Sequence, residues 1–267
     1  MRIKEILCKR VLNRSGIYGV NYSINPYIGC EHNCAYCYAR GFVKEFINQN
    51  LKWGEEVLVK INAPKILARE LPKARKGLVL LSSITDPYQP IESRYQLTRR
   101  ILQRLLSFQY PISILTKSKL VKRDLDIISR FKEAEVGFTI VTLNEEYKKI
   151  LEPKASKIRE RLETLKIFKK EGVHTYMFVG PILPVITEKD LEELVKVAKD
   201  VADEIIFDKF NLKYRSFENL SKVLGRKTPE LWKEMLQKFM DKNFPTKIKA
   251  RAKELCSKFS LSCSFCY

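Results

Sequence analysis

Five short apolar runs recur along this chain, each bounded by charged or turn residues: GLVLLSS (77–83), ISILT (112–116), VGFTIVTL (136–143), HTYMFV (174–179) and EIIFD (204–208). A strand with one face in water would alternate polar and apolar residues. Continuous runs of this length instead suit parallel strands buried on both faces. Helical periodicity fills the gaps. Leu97, Ile101 and Leu105 stand four apart, Ile158, Leu162 and Leu165 follow a similar stripe, and Leu191, Leu194, Val195 and Ala198 mark another. Repeated βα units with right-handed crossovers form either an open doubly wound sheet or a barrel. With a first strand near 22–28 the count is about six, short of the eight that close a TIM barrel.

The pattern changes near residue 213. Helix-like stretches at 229–242 and 246–259 lead into SLSCSFCY. The expected division is an α/β domain over 1–212 and a helical C-terminal extension over 213–267 with a cysteine tail. No apolar run is long enough to span a bilayer. MRIKEILCKRVLNRSG lacks the apolar core of a secretory signal, so a cytoplasmic location is expected. Lys and Arg number 50 against 31 Asp and Glu, a net charge of +19. That excess makes nucleic acid, DNA or tRNA, a natural partner. The same charge also fits a Lys- and Glu-rich surface of a heat-adapted protein, because the cations are spread over many helices.

Seven cysteines fall into two tight groups plus Cys8, which favours metal ligation over disulfides in a chain without an export signal. Cys30, Cys34 and Cys37 lie in NPYIGCEHNCAYCYAR (25–40) with C-x3-C-x2-C spacing. Three thiolates on one loop can take three corners of a cubane cluster and leave the fourth iron open. Zinc would need a fourth protein ligand, for which His32 is the nearest candidate.

With Tyr36 before its third cysteine, this loop resembles the signature of the radical S-adenosylmethionine (SAM) superfamily. The wider match, through TDPYQPIE (85–92), ILTKS (114–118), TLNEE (142–146) and LEPKASKIRERL (151–162), is similar to the spore photoproduct lyase-like branch and covers about residues 20–210. The resemblance implies a partial (β/α)6 TIM-type barrel carrying a [4Fe–4S] cluster on Cys30, Cys34 and Cys37. It further implies SAM chelated at the open iron and a one-electron reductant such as a ferredoxin or flavodoxin. SAM cleavage would then yield a 5′-deoxyadenosyl radical that takes a hydrogen from the substrate.

Carried over residue by residue, the resemblance places Tyr36 beside the adenine and Lys117 opposite the SAM carboxylate. Thr142 and Asn144 fall near the ribose. Glu152 and Arg161 match a pair that either holds SAM or forms a salt bridge at the barrel mouth. The family's Gly-Gly-Glu stretch is missing after the second strand. Ser83, Thr85 and Asp86 stand in its place, as SAM contacts or as the start of an Asp-Pro turn. Tyr38 matches a tyrosine that relays hydrogen in spore photoproduct lyase. That enzyme also uses a cysteine where this chain has Ser83, and a hydroxyl does not yield its hydrogen atom as a thiol does. Dimer repair by that relay is therefore not expected.

Cys256, Cys263 and Cys266 stand in C-x6-C-x2-C spacing. Since many family members carry an auxiliary cluster near this position, the three are candidates for a second iron–sulfur cluster, with zinc or free thiols as rivals. The competing reading of the whole chain is a non-catalytic iron–sulfur protein that binds nucleic acid.

Overall fold

Every apolar run identified above is a strand in the computed structural model, which describes residues 1–210 and 215–267. The chain begins with β1 (Arg2–Ile6), β2 (Asn13–Arg14), β3 (Tyr22–Ile24) and β4 (Tyr27–Ile28). Next come α1 (Ala39–Phe46), β5 (Glu56–Lys60), α2 (Ala63–Glu70), β6 (Val79–Leu81), α3 (Glu92–Tyr95), α4 (Leu97–Ser107) and β7 (Ile112–Thr116). The alternation continues through α5 (Leu125–Ile128), β8 (Ala134–Thr139), α6 (Glu145–Leu151), α7 (Ile158–Lys170), β9 (His174–Ile182), α8 (Ile186–Val201) and β10 (Glu204–Lys209). The remainder forms α9 (Ser216–Lys227), α10 (Pro229–Met240), α11 (Phe244–Lys258) and β11 (Ser262–Phe265).

The main sheet runs β2-β3-β6-β7-β8-β9-β10-β11 and is not closed on itself. From β3 to β11 all neighbours are parallel, and only β2 is antiparallel. The partial-barrel expectation is thus met by six parallel strands, β3 to β10, with one more added. A second sheet pairs β1 with β5 in parallel and β4 with β5 in antiparallel fashion. Because β4 runs directly into the cysteine loop, this small sheet fixes the loop's incoming limb.

Side-chain alternation gives the main sheet two unlike faces. Ile112, Ile114, Val136, Phe138, Met177, Val179, Ile205 and Phe207 are buried against helix residues such as Ile101, Leu165, Leu194 and Leu255. Ser113, Glu135, Gly137, Thr139 and Tyr176 occupy the other face, in register across β7, β8 and β9. A Cβ on Gly137 would come within 2.1 Å of the Tyr176 ring. Only glycine lets Tyr176 cross β8, which brings its hydroxyl 3.4 Å from Ser113 Oγ on β7.

The C-terminal stretch holds the expected helices, with α9 as a third that periodicity did not reveal. The cysteine tail is not a tail. α11 packs on α8, and β11 lies parallel to β10 with Cys263 opposite Ile205 and Phe265 opposite Phe207. The two phenyl rings stack with centroids 5.3 Å apart. The expected boundary at 212/213 lies outside the described residues. Among those described, no helix is long and apolar enough to cross a membrane.

Deleting residues 261–267 should strip β10 of one of its two neighbours and expose Phe207. Urea unfolding followed by far-ultraviolet circular dichroism should show a loss of roughly 3 kcal/mol, the scale of one or two buried apolar side chains. An unchanged midpoint would mean that β11 adds nothing to the sheet.

Candidate active site

The cysteine loop leaves β4 through Gly29, whose φ is +92°. A Cβ there would lie 2.6 Å from Glu56 O, so the loop's tight approach to β5 requires glycine. The segment 85–92 then clamps the loop from the other side. Thr85 Oγ1 donates to Gly29 O at 2.7 Å, and Gln89 Nε2 donates to the same oxygen at 3.2 Å. Glu31 N donates to Gln89 Oε1 at 2.9 Å, while Glu31 Oε1 accepts from Ile91 N at 2.5 Å. Further along, Ala35 N donates to Leu151 O at 2.7 Å. Cys34, Ala35 and Tyr36 pack with Leu220, Leu224 and Trp232 of α9 and α10.

Held this way, the three thiols sit in a poor environment for protons to leave. Burial raises each of them most. Cys30 is pushed up to about 12, with Asp86 and Cys37 adding to the effect. Cys34 lies well above its ordinary value, raised also by Glu152, Cys37 and Cys30 against the pull of Lys117. Cys37 is raised by burial although Lys117 and the Ala39 and Arg40 amides favour its thiolate. A bound cationic centre would reverse this balance, because the thiolate is the ligand form. Among the described residues, no three His, Cys, Asp or Glu side chains converge on one ion-sized point, as a single zinc would require. A [4Fe–4S] cubane takes each thiolate at a different iron, so its ligands stand further apart. The donor set fits the cluster.

Four of the expected cofactor residues come together beside it. Tyr36 donates its hydroxyl to Glu152 Oε1. Glu152 Oε2 lies 2.5 Å from Arg161 Nη2, both side chains being 1% exposed. Arg161 also donates to Ser156 O at 2.9 Å and Thr139 O at 2.8 Å. Lys117 Nζ stands 5.7 Å from the Tyr36 ring centroid and 3.4 Å from Thr139 Oγ1. Burial works against its charge, yet Cys34, Glu152, Asp86 and Cys37 together raise its pKa. The ammonium has no carboxylate of its own at ion-pair distance among the described residues.

Other expected contacts are occupied by the protein itself. Asp86 accepts from Thr116 Oγ1 at 2.7 Å, Lys117 N at 2.9 Å and Tyr88 N at 2.9 Å, and it faces His32 Nδ1 at 3.2 Å. Burial raises its pKa, but His32, Thr116 and Lys117 overcome this and hold it at about 2. It thereby ties the cysteine loop to the end of β7. Thr142 Oγ1 donates to Asp190 at 2.5 Å, and Asn144 caps α6 by accepting from Glu146 N and Tyr147 N. Ser83 N donates to Asn25 Oδ1 at 3.0 Å, and Ser83 O accepts from the half-exposed Tyr38 hydroxyl. His32, Gln89, Glu31 and Asp190 were missed as positioning residues, since nothing in their sequence context names their partners.

The C-terminal cysteines are only partly gathered. The Cys256 thiol, raised to about 12 chiefly by burial, hydrogen-bonds to Cys263. Cys266 follows the end of β11, where the carboxylates of Asp208 and Glu204 add to its burial in raising its pKa. Cys8 donates to Asn62 Oδ1 at 3.2 Å.

An incomplete parallel barrel with two buried thiols, a third half-buried, and an unpaired ammonium at one end of its strands fits the class of cluster- and SAM-dependent enzymes. The family model of the radical SAM superfamily matches residues 24–198, and the chain belongs to that superfamily. An uncharacterised protein of Methanocaldococcus jannaschii is 38% identical over 213 residues, covering 80% of this chain and 79% of that protein. A radical SAM Nalpha-GlyT isomerase of Pseudomonas phage M6 is 24% identical over 188 residues, 69% of this chain but only 38% of the phage protein. In fold, spore photoproduct lyase complexed with dinucleoside spore photoproduct superposes with a TM-score of 0.71 at 14% identity, covering 99% of this chain and 82% of that one. Streptococcus suis SuiB bound to precursor peptide SuiA gives a TM-score of 0.63 at 15% identity, covering 91% and 48%. The family implies the [4Fe–4S] cluster and SAM.

Replacing Glu152 with Gln leaves Arg161 buried without a counter-charge and should cost about 3–5 kcal/mol. Burial raises the Glu152 pKa, but Arg161 and Lys117 more than offset this and hold it below the usual carboxylate range. Its stabilising contribution is therefore present above the ordinary pKa of roughly 4.3 and is lost as the pH falls below it. Unfolding midpoints between pH 7 and 3 should fall less steeply in Glu152→Gln than in wild type; parallel curves would contradict this assignment.

Proposed function

We propose that this chain is an enzyme that cleaves SAM reductively and applies the resulting radical to a substrate, with nucleic acid as the first class to test. The observation that carries the proposal is the Lys117 ammonium beside Cys34, Cys37 and the Tyr36 ring, with no carboxylate at ion-pair distance among the described residues. When bound, the cluster and SAM together supply one electron and a 5′-deoxyadenosyl radical that abstracts a hydrogen atom.

The chain's own residues bind, orient and exclude water. Cys30, Cys34 and Cys37 hold the cluster, with the Ala39 and Arg40 amides directed at the Cys37 sulfur. Lys117 offers its charge to the SAM carboxylate, and its polar neighbour Thr139 Oγ1 orients it. Tyr36 presents a ring locked by Glu152, which Arg161 fixes in turn. In this reading Glu152 and Arg161 act as positioning residues, as do Asp86, Thr85, Thr142 and Asn144. Tyr38 and Ser83 meet at the strand end, where substrate would approach. Tyr38 can pass a hydrogen there; Ser83 holds the backbone and donates none. The nucleic-acid substrate class is supported by the net charge of +19 and by the fold shared with an enzyme complexed with a dinucleoside. Peptide substrates remain the alternative, favoured by the fold shared with a peptide-bound protein.

Anaerobically reconstituted protein given dithionite and SAM should release 5′-deoxyadenosine, and Cys34→Ala should release none. Lys117→Met should retain its cluster while KM for SAM rises at least tenfold, the loss of one charge-assisted contact. A brown wild-type protein that yields no 5′-deoxyadenosine, with or without added DNA, tRNA or peptide, would overturn the proposal.

A further inference from the structure

Two adjoining cavities, about 250 and 670 Å³, share Arg40, Trp53, Asn219 and Lys222 and form one groove. Its floor is the cysteine loop itself, through Asn33 and Ala35, and its far wall is α9. Six cationic side chains line it against two carboxylates, and one of these, Glu218, is taken by Arg215 at 3.0 Å. Lys222 and Arg226 are four residues apart and share one helical face with Asn219. Several surface lysines elsewhere do find carboxylates: Lys119 meets Glu160 at 2.6 Å, and Lys258 meets Glu192 at 2.7 Å. Among the described residues, Lys222, Arg226 and Lys227 have no such partner, and all three are exposed. The floor itself is short of acceptors. Arg40 gives Nη2 to Asn33 Oδ1 at 2.8 Å, but its Nε and the Trp53 Nε1 are buried without any. Trp53 packs in the same cluster as Cys30 and Cys37.

We infer that this groove docks an acidic one-electron carrier protein that reduces the cluster; the inference rests on the function proposed above. A substrate must bring its hydrogen to the strand ends near Lys117 and Ser83, and neither residue lines the groove. An electron needs only close approach to the cysteine ligands, and the groove's floor is the loop that bears them. Unpaired cations on the wall suit a partner whose carboxylates surround its redox group. In the step itself the carrier gives one electron to the metal centre and is oxidised by one electron. No bond forms or breaks on the carrier, and no proton moves.

The test uses cluster-loaded full-length protein without SAM and follows bleaching of the cluster in stopped flow. The reductant is photoreduced flavodoxin in one arm and dithionite in the other. The variant is Lys222→Glu/Arg226→Glu/Lys227→Glu, with Lys222→Gln as the milder form should the triple lose cluster or fold. Bleaching by flavodoxin should slow at least tenfold in the triple variant, with a flatter dependence on ionic strength, while dithionite rates stay unchanged. Equal flavodoxin rates in variant and wild type would overturn the inference. Equal slowing with dithionite would do the same, because the charges would then act on the cluster rather than on docking. A variant that loses retention of tRNA or DNA while flavodoxin rates hold would assign the groove to nucleic acid. Wild type that accepts electrons from flavodoxin but makes no 5′-deoxyadenosine would sink the proposed function and leave the groove's assignment standing.

Discussion

Three thiols must become thiolates together inside a loop that burial makes hostile to negative charge, and much of the surrounding architecture answers that conflict. Desolvation and mutual repulsion both oppose the charged forms. Lys117 and Arg40 supply nearby positive charge, and backbone amides of His32, Ala39 and Arg40 point at sulfur. These groups are useful only if the loop does not relax away from them. Gly29, Gln89, Glu31 and Leu151 therefore fix its backbone at successive points.

The same constraint explains why several polar residues near the site are turned inward. Asp86 has both carboxylate oxygens engaged, on Thr116, Tyr88 and Lys117 N and facing His32. A group so fully paired is an expensive one to open for a ligand. Its service is to hold the Lys117 backbone and His32 in one frame. Lys117 differs in that its half-buried ammonium lies near Cys34, Glu152, Asp86 and Cys37 with only a long contact to Thr139 Oγ1. The division between scaffold and ligand contact thus follows from which groups have spare hydrogen-bonding capacity, not from distance to the cluster alone.

Legibility in the sequence tracked the strength of the local signal. ISILT is the strand Ile112–Thr116 residue for residue because both faces are buried and the run is continuous. The segment SCSF was opaque for the opposite reason. As an edge strand it is only half-buried, its first residue is exposed, and its polar serines resemble a loop. The helix α9 carries Gly225 and the cations Lys222, Arg226 and Lys227, which dilute its apolar stripe of Leu220 and Leu224. At the site, the cysteine spacing marked the loop that the fold gathers beside Tyr36 and Lys117, whereas Thr142 and Asn144 showed their polarity but not their partners. Asp190 lies 48 residues from Thr142, and no local pattern connects them. Likewise Gly137 reads as a weak point in a strand until Tyr176 is placed across it.

A net charge of +19 has little meaning as a total, because screening removes most of its reach within about 8–10 Å at physiological ionic strength. What a partner meets is the local arrangement. On α7, α8 and α11 many cations meet a carboxylate, as Arg159 meets Glu163, Lys196 meets Glu193, and Arg251 and Lys258 meet Glu192. On α9 they are not, and that helix is anchored to the cysteine loop by Asn219 donating to Ala35 O at 2.5 Å. A charge there is positioned against the three-cysteine loop by that bond, whereas α11 packs on α8 and β11 instead. Of the surplus, the α9 cations are thus the ones whose placement couples a partner's approach to events at the three cysteines.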